Sequence, residues 1–428
     1  MATQSLKILI AAFACNPDSG SEEGVGWGWV KALSASHQVW VITAEFHRAA
    51  IETAVRRAPH FYSTLSFHYV RPKPWHYAPT ATWRFIERSV FKPVMNYAYR
   101  LWQKDAFPVA KALHREINFD IVHQLTYVGF RFPGQLWKLD MPFVWGPIGG
   151  LENTPWRFLP QMGWRGWLYY AGRNIINTFD KKYLPGPRKA FRKADGGIIA
   201  ATGGIRREIK RWYGIESRVI CEIGPPAEKA ACHSIRRPGE VLRLSWSGEH
   251  LPGKALPLLL HALSQLPPTV RWQLEILGTG PCTNKWKQLA RKIDVSHGCR
   301  WSGRRPRADA VQRVHLSHIF IITSLKDLTS TVLVEALAQG VPVICPDHCG
   351  FSDMVMDDCG IKIPIKTPLQ FITDLADTIA QLAKDEIHRR QLAAGALKRM
   401  TNFTWEQKAE QVDRIYRYMI TRQIEPLA

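Results

Sequence analysis

Two carboxylic acids, Asp327 and Glu335, stand eight positions apart in the stretch "KDLTSTVLVEALAQGVPVI" (326–344). Between them lie three hydroxyl residues, Thr329, Ser330 and Thr331, and the start of an apolar run. Thr and Ser favour a helix N-cap, and Gly340 stands where a C-terminal cap belongs, so "TVLVEALAQ" reads as a helix entered from a polar loop. The first N–H groups of a helix lack intrahelical partners and attract anions. Glu335 is four residues past Thr331 and shares its face, with a Cβ tilted back toward the helix start. Carboxylates accept well from vicinal hydroxyls. This constellation suits a diphosphate at the helix tip with sugar and ribose hydroxyls beside it. An acid near a helix start also complements the dipole by roughly 0.3–1 kcal/mol, which explains Asp327 without any ligand. It explains Glu335 less well, because lone glutamates avoid apolar surroundings such as "VLVEALA".

Three other turns point the same way. "WSGEHLPGKALPLLLHAL" (246–263) leaves a strand and presents Lys254 at the next helix, where an ammonium can hold phosphate as a point charge. "ILGTGP" (276–281) ends a strand with Gly278 and Gly280, which permit close backbone approach. "CNPDSGSEEGVGWGW" (15–29), including Gly20, follows the first strand. Gly-rich strand-to-helix turns are common singly; their recurrence in two halves of one chain carries more weight.

The elements that must position these residues follow from periodicity. "KILIAAF" (7–13), "QVWVITA" (38–44), "FDIVHQL" (119–125), "PFVWG" (142–146), "GGIIAA" (196–201) and "RVICEIG" (218–224) read as buried strands separated by amphipathic stretches. A Pro- and charge-rich patch, "GPPAEKAACHSIRRPGE" (224–240), interrupts the alternation. It restarts with "VLRLSWSG" (241–248), "WQLEILG" (272–278), "RWSG" (300–303), "HIFIITS" (318–324), "VPVIC" (341–345) and "GIKIP" (360–364). The expected fold class is α/β: two doubly wound, Rossmann-like parallel-sheet domains facing across a cleft. The expected organisation is 1–223, a linker at 224–240, 241–403, and a C-terminal helix in 404–428. In such sheets ligands collect at the carboxyl ends of strands.

Bulk properties fit. A chain of 428 residues exceeds what one hydrophobic core usually supports. Fifty-seven Lys and Arg against 36 Asp and Glu give a formal charge of +21, which predicts attraction to nucleic acid, an anionic membrane or phosphorylated ligands. The eight cysteines show no C-x-x-C and no zinc spacing, as expected of free thiols in a reducing cytosol. "LKILIAAFAC" is too short for a signal peptide core and reads as a first strand, and no run reaches the ~18 apolar residues of a membrane span.

The order of these motifs resembles the retaining glycosyltransferases of family 4, which have the GT-B fold. The likeness rests on "WSG…GKALPLLL", "ILGTGP", "D-x7-E-A-L-A-x-G-V-P-V" and "CGFSDMV"; it is strong over about 241–365 and looser over 1–223. The resemblance implies a nucleotide-diphosphate-sugar donor held mainly by the second domain and an acceptor held mainly by the first. It implies that Glu335 contacts the ribose, that Asp327 stands where a glutamate usually meets the donor sugar, and that Lys254 contacts the diphosphate with Thr331 beside it. Gly20 matches the first-domain glycine turn facing the phosphates, and Gly280 and Gly350 fall in further turns of the donor cleft. Departures are visible. Asp327 is one methylene short, Ser330 replaces a usual glycine, and Glu249 stands where an arginine commonly assists the lysine, a loss that Arg304 or Arg305 could offset. "WGPIGG" (145–150) lacks a histidine that many relatives carry; His123 is a weak cleft alternative, more readily a core histidine.

The expected reaction is transfer of a hexosyl group to a glycan or lipid-linked acceptor, in surface polysaccharide or glycolipid synthesis. With no D-x-D visible, neither metal nor other cofactor is expected. Lys254 and the N–H groups at 329–331 would then stabilise the leaving diphosphate, by about 3–4 kcal/mol per donor. Segments 72–104 and 156–193 interleave Trp, Tyr and Phe with Lys and Arg, a pattern suited either to an anionic bilayer surface or to a solvated helical face over core aromatics. The expected location is the cytoplasm, with a peripheral place on the inner membrane face if lipid is met. A basic nucleic-acid-binding protein would explain the charge but not the paired acids, and no nucleic-acid motif is visible, so no nucleic-acid partner is expected. A sugar-nucleotide epimerase or a phosphorylase on the same fold is the other alternative.

Overall fold

The computed structural model describes residues 4–71, 88–225, 230 and 235–424. The readings for residues 72–87 and for much of the 224–240 linker lie outside them. The first half of the chain forms a seven-stranded sheet: β1 (Lys7–Ala12), β2 (Gln38–Ala44), β3 (Leu65–Val70), β4 (Ile121–Thr126), β5 (Phe143–Ile148), β6 (Ile198–Ala200) and β7 (Arg218–Val219). Their spatial order is β3-β2-β1-β4-β5-β6-β7, and every pairing is parallel. The second half forms a six-stranded parallel sheet from β8 (Leu242–Ser247), β9 (Trp272–Leu277), β10 (Cys299–Gly303), β11 (Ile319–Ile321), β12 (Val343–Pro346) and β13 (Gly360–Ile363), ordered β10-β9-β8-β11-β12-β13.

The central strands β1, β4 and β5 are buried almost throughout, as expected where helices cover both faces. Two departures from the sequence reading have physical causes. β3, "LSFHYV", is an edge strand with mixed exposure, so its Ser and His interrupt the apolar signal. β7 is only two residues long; Cys221 to Gly224 leave the sheet and pass toward the second domain. The seven cysteines among the described residues are free thiols.

Each sheet reverses direction once, between β1 and β4 and between β8 and β11. Such switch points leave a crevice beyond the strand ends. Several contacts join the two halves. Gly203 N–H, at the start of the helix Gly203–Tyr213, donates to Asp353 of the second half at 2.7 Å, placing a carboxylate on a helix N-terminus. Lys326 Nζ donates to the Glu152 carbonyl, and burial pushes its ammonium down to about 8. The helix Gly163–Tyr183 also bridges the halves. Tyr170 and Ala171, with Phe158, Leu159 and Met162 just before the helix, are buried in one cluster with Leu244, Leu256 and Phe371 of the second half.

The C-terminal helix Trp405–Ile424 lies against the first sheet, with Val412, Ile415, Tyr416 and Met419 buried among Ile8, Ile10 and Val144. His123 of β4 is sealed beneath it. Its Nε2 lies 2.7 Å from the Gly146 carbonyl and its Nδ1 lies 2.6 Å from the Tyr416 hydroxyl. Burial holds the imidazole down at about 4, so it is neutral: Nε2–H donates to the carbonyl and Nδ1 accepts from the tyrosine. Removing that hydroxyl strands a buried acceptor. Tyr416→Phe is therefore expected to cost about 1–3 kcal/mol, read as a lower urea midpoint with an unchanged slope; an unchanged midpoint would refute the clasp.

Candidate active site

The two switch points face each other across a hollow of about 370 Å³, within the size range of small-molecule sites. Glu22 and Val25, after β1, and Val128, after β4, line it from the first domain. Ser247, Gly248 and Lys254, after β8, and residues 327–332, after β11, line it from the second; Glu222 and Ile223 close it from the connecting passage.

Lys254 is held there by its backbone. It ends the tight turn Pro252–Lys254, and Ala255 beyond it takes a left-handed conformation, φ 47° and ψ 37°, that redirects the chain into the helix Leu256–Leu263. Thr323 Oγ1, at the exit of β11, donates to the Lys254 carbonyl at 2.7 Å and accepts from Trp246 Nε1 at 3.0 Å. Leu325 N–H donates to the Gly253 carbonyl at 2.8 Å. The lysine stem is thus tied to the strand end that carries Asp327, and the two charges meet, Nζ to Oδ2, at 2.5 Å. Asp327 Oδ1 accepts from Leu328 N–H at 3.1 Å.

The helix Thr331–Ala338 starts beside this pair, with Ser330 at its N-cap. Thr331 is exposed to the hollow, whereas Thr329 and Ser330 are nearly buried. Thr329 N–H already has a partner: it donates to Glu222 Oε1 at 2.9 Å. Gly350 packs flush on Thr329, since a Cβ there would stand 2.2 Å from its hydroxyl. Gly280 approaches His250 as closely, a hypothetical Cβ falling 2.8 Å from the His250 carbonyl oxygen. Both glycines therefore seat loops, and neither lines the hollow among the described residues. Gly20 differs. It precedes the helix Ser21–Ser34 with φ −88°, and a Cβ added to it would meet no protein atom within 4 Å.

Glu335 does not line the hollow. It is largely buried one turn into the short helix, where Arg307 Nε donates to its Oε1 at 2.7 Å. Burial raises its pKa and Arg307 opposes the rise. The cation expected from Arg304 or Arg305 is corrected here. Arg305 turns to Asp309 at 3.8 Å and to the Ser302 carbonyl, Arg304 is exposed, and neither lines the hollow. Pro306 sets the start of the helix Arg307–His315, and that first residue is aimed at Glu335. His123 is corrected too: sealed in the core, it does not reach the cleft.

Two glutamates that sequence reasoning passed over complete the floor. Glu22 accepts from Val128 N–H at 2.6 Å, and Glu222 accepts from Thr329 N–H. Burial pushes both up to about 7; the backbone N–H bonds, and for Glu222 the Lys408 ammonium, work against the rise, while Glu222 adds to that of Glu22. Lys408 of the C-terminal helix is itself buried, lowered by desolvation, and donates to the Cys221 carbonyl at 2.6 Å. The signal for Glu222 was present: a lone acid in "VICEIG" is as anomalous as Glu335 in "VLVEALA". Glu22, beside a second glutamate in a first helical turn, is indistinguishable from an ordinary dipole complement.

Similarity to known proteins agrees with this geometry. Residues 239–399 match the family Glycosyl transferases group 1. The chain is 29% identical, over 80% of its length and 86% of the relative's, to a D-inositol 3-phosphate glycosyltransferase of Frankia alni. A Corynebacterium diphtheriae protein of the same description is matched over 32% of each chain at 26% identity, so that relative is spanned only in part. Among solved structures, a sucrose-phosphate synthase from Thermosynechococcus elongatus superposes with TM-score 0.60 at 14% identity, covering 97% of this chain and 99% of that one. Anabaena HepE in complex with UDP superposes with TM-score 0.56 at 13% identity over 96% and 100%. At these identities the structures speak to fold. The second-domain match and the full-length relative support a glycosyltransferase enzyme, and the two facing sheets give it the GT-B fold.

Proposed function

We propose that the enzyme moves a sugar from a nucleotide-diphosphate donor to a glycan or lipid-linked acceptor with retention of anomeric configuration, without a divalent cation, in surface polysaccharide or glycolipid synthesis. The observation that carries this reading is the hollow itself: Lys254, Asp327 and a helix start converge where both sheets reverse. UDP in the HepE structure makes uridine donors the first to test.

The chemistry follows from charge. As the glycosyl–phosphate bond breaks, negative charge grows on the leaving diphosphate and positive charge on the sugar ring. An incoming diphosphate competes with Asp327 for Lys254. The carboxylate so released is free to accept from sugar hydroxyls and to steady the ring. The N–H groups at the start of Thr331–Ala338 add fixed donors for the leaving oxygens. Glu335, oriented by Arg307, is assigned to the ribose hydroxyls further along the same helix.

Glu22 and Glu222 tune this balance. With folded pKa values raised from 4.5 to about 7, both favour the protonated form, which keeps the floor from repelling a diphosphate. The stabilisation belonging to that form is fully present below pH 4.5 and is lost as pH rises through about 7.

Four outcomes test the reading. In a thermal-shift screen against UDP-, GDP- and ADP-sugars, one donor class should stabilise the wild type and fail to stabilise Lys254→Ala or Glu335→Ala. Turnover of Lys254→Ala should fall by roughly 10²–10³-fold and wild-type turnover should survive EDTA; loss in chelator restored by Mn²⁺ would overturn the cation-free mechanism. Gly20→Ala should unfold as the wild type does, since its methyl meets no protein atom, yet raise the donor KM; an unchanged KM would remove Gly20 from the donor site. Finally, donor affinity should fall as pH rises through about 7, and Glu222→Gln, whose carbonyl can still accept from Thr329, should flatten that profile.

A further inference from the structure

The bridging helix Gly163–Tyr183 carries a surface that sugar transfer does not use. Its inner side is fully engaged. Gly166 and Tyr170 lie against Pro252 and Gly253 of the turn that holds Lys254. Asn174 exchanges two hydrogen bonds with the Thr154 backbone, at 2.9 and 2.8 Å, and Lys181 donates to Leu151 O at 3.0 Å and to Glu208 at 2.5 Å. On the opposite side, at helical spacing, stand Trp164, Leu168, Ile175, Ile176, Phe179 and Tyr183, each more than half exposed. The row runs the length of the helix, about 30 Å. Soluble monomers rarely leave a continuous apolar strip of that kind in water.

The charge around the strip indicates what covers it. Arg165 lies 5.1 Å over the Trp164 ring at one end, and Lys182 lies 5.0 Å over the Tyr183 ring at the other. The next helix, Pro185–Lys193, adds exposed Lys189 and Arg192. The one acid between residues 156 and 193, Asp180, is tied to Arg131 at 2.5 Å. An apolar centre, aromatic rings with cations at both ends and no unengaged carboxylate match the interface of an anionic bilayer, where rings sit at headgroup level and cations meet lipid phosphates. We infer that this face of Gly163–Tyr183 docks on an anionic lipid surface. Among the described residues no helix is long and apolar enough to cross a membrane, so the contact is peripheral.

Docking there has a consequence for the active site. The Pro252–Lys254 turn sits on the inner side of the same helix, so the turn that carries Lys254 into the hollow stands about one helix diameter, ~10 Å, from the bilayer plane. A headgroup-borne acceptor comes within reach without leaving the membrane. Only this last step rests on the proposed transfer reaction; the docking surface stands without it.

Flotation with vesicles of phosphatidylcholine alone, or of phosphatidylcholine with phosphatidylglycerol, tests the inference on the full chain. The wild type is expected to float with the anionic vesicles, less so at high salt. The triple substitution Leu168→Ser, Ile176→Ser and Phe179→Ser should lower partitioning by roughly ten-fold or more, with its unfolding temperature and nucleotide-sugar thermal shift unchanged. Should the triple variant fold poorly, Arg165→Glu with Lys182→Glu, which spares the apolar row, should lose binding to anionic vesicles. A wild type that stays in the aqueous fraction, a triple variant that floats equally well, or self-association abolished by the triple variant without vesicle binding would overturn the proposal; the last would assign the face to a second copy. Flotation without any nucleotide-sugar shift would sink the donor reading and leave the docking surface standing.

Discussion

Positive groups that the proposed anionic donor would claim are, in this structure, paired with the protein's own carboxylates. Lys254 is bound to Asp327, and the Thr329 N–H, just before the helix start, is bound to Glu222. This follows from desolvation: a partly buried ammonium or a sequestered amide is costly to leave unmet. In the proposed reaction, binding is then an exchange of partners, and the released carboxylates become acceptors for hydroxyls and countercharges for a cationic ring. Burial also raises Glu22 and Glu222 to about 7, which lessens the negative charge that three acids would otherwise gather around one lysine.

The fold exists to bring these groups to one place. A parallel sheet has one end where every strand exits into a loop and a helix start, and a reversal of strand order opens a crevice at that end. Two such sheets set end to end give a hollow lined by six chain segments. The two halves are joined by more than the linker: a carboxylate of one caps a helix of the other through Asp353 and Gly203, the C-terminal helix returns to the first sheet, and Gly163–Tyr183 packs on both. The membrane-facing surface inferred for that last helix lies opposite the face that packs on the Pro252–Lys254 turn, so the proposed lipid docking and donor binding are adjacent in the structure.

Local chemistry was legible in the chain because it depends on short-range pattern. Period-two and continuous apolar runs marked eleven strands of the two sheets near their observed places, with β3 missed as a polar edge and the end of β7 overextended. Asp327, Lys254 and the hydroxyl-rich helix start could be read as an anion site because capping and helix-start chemistry act within a few residues. Their common hollow was anticipated from the topology of parallel sheets.

What tertiary structure alone decided were the pairings between distant segments. Arg307, not Arg304 or Arg305, reaches Glu335, because the helix beginning after Pro306 fixes which guanidinium faces inward. His123 became a clasp for Tyr416 across 293 residues of chain. Gly280 and Gly350 proved to be close-packing positions, whereas Gly20 opens onto empty space. A residue's type and its neighbours set what it can do; its partner across the cleft is chosen by packing, which sums over contacts too far apart in sequence for any local pattern to record.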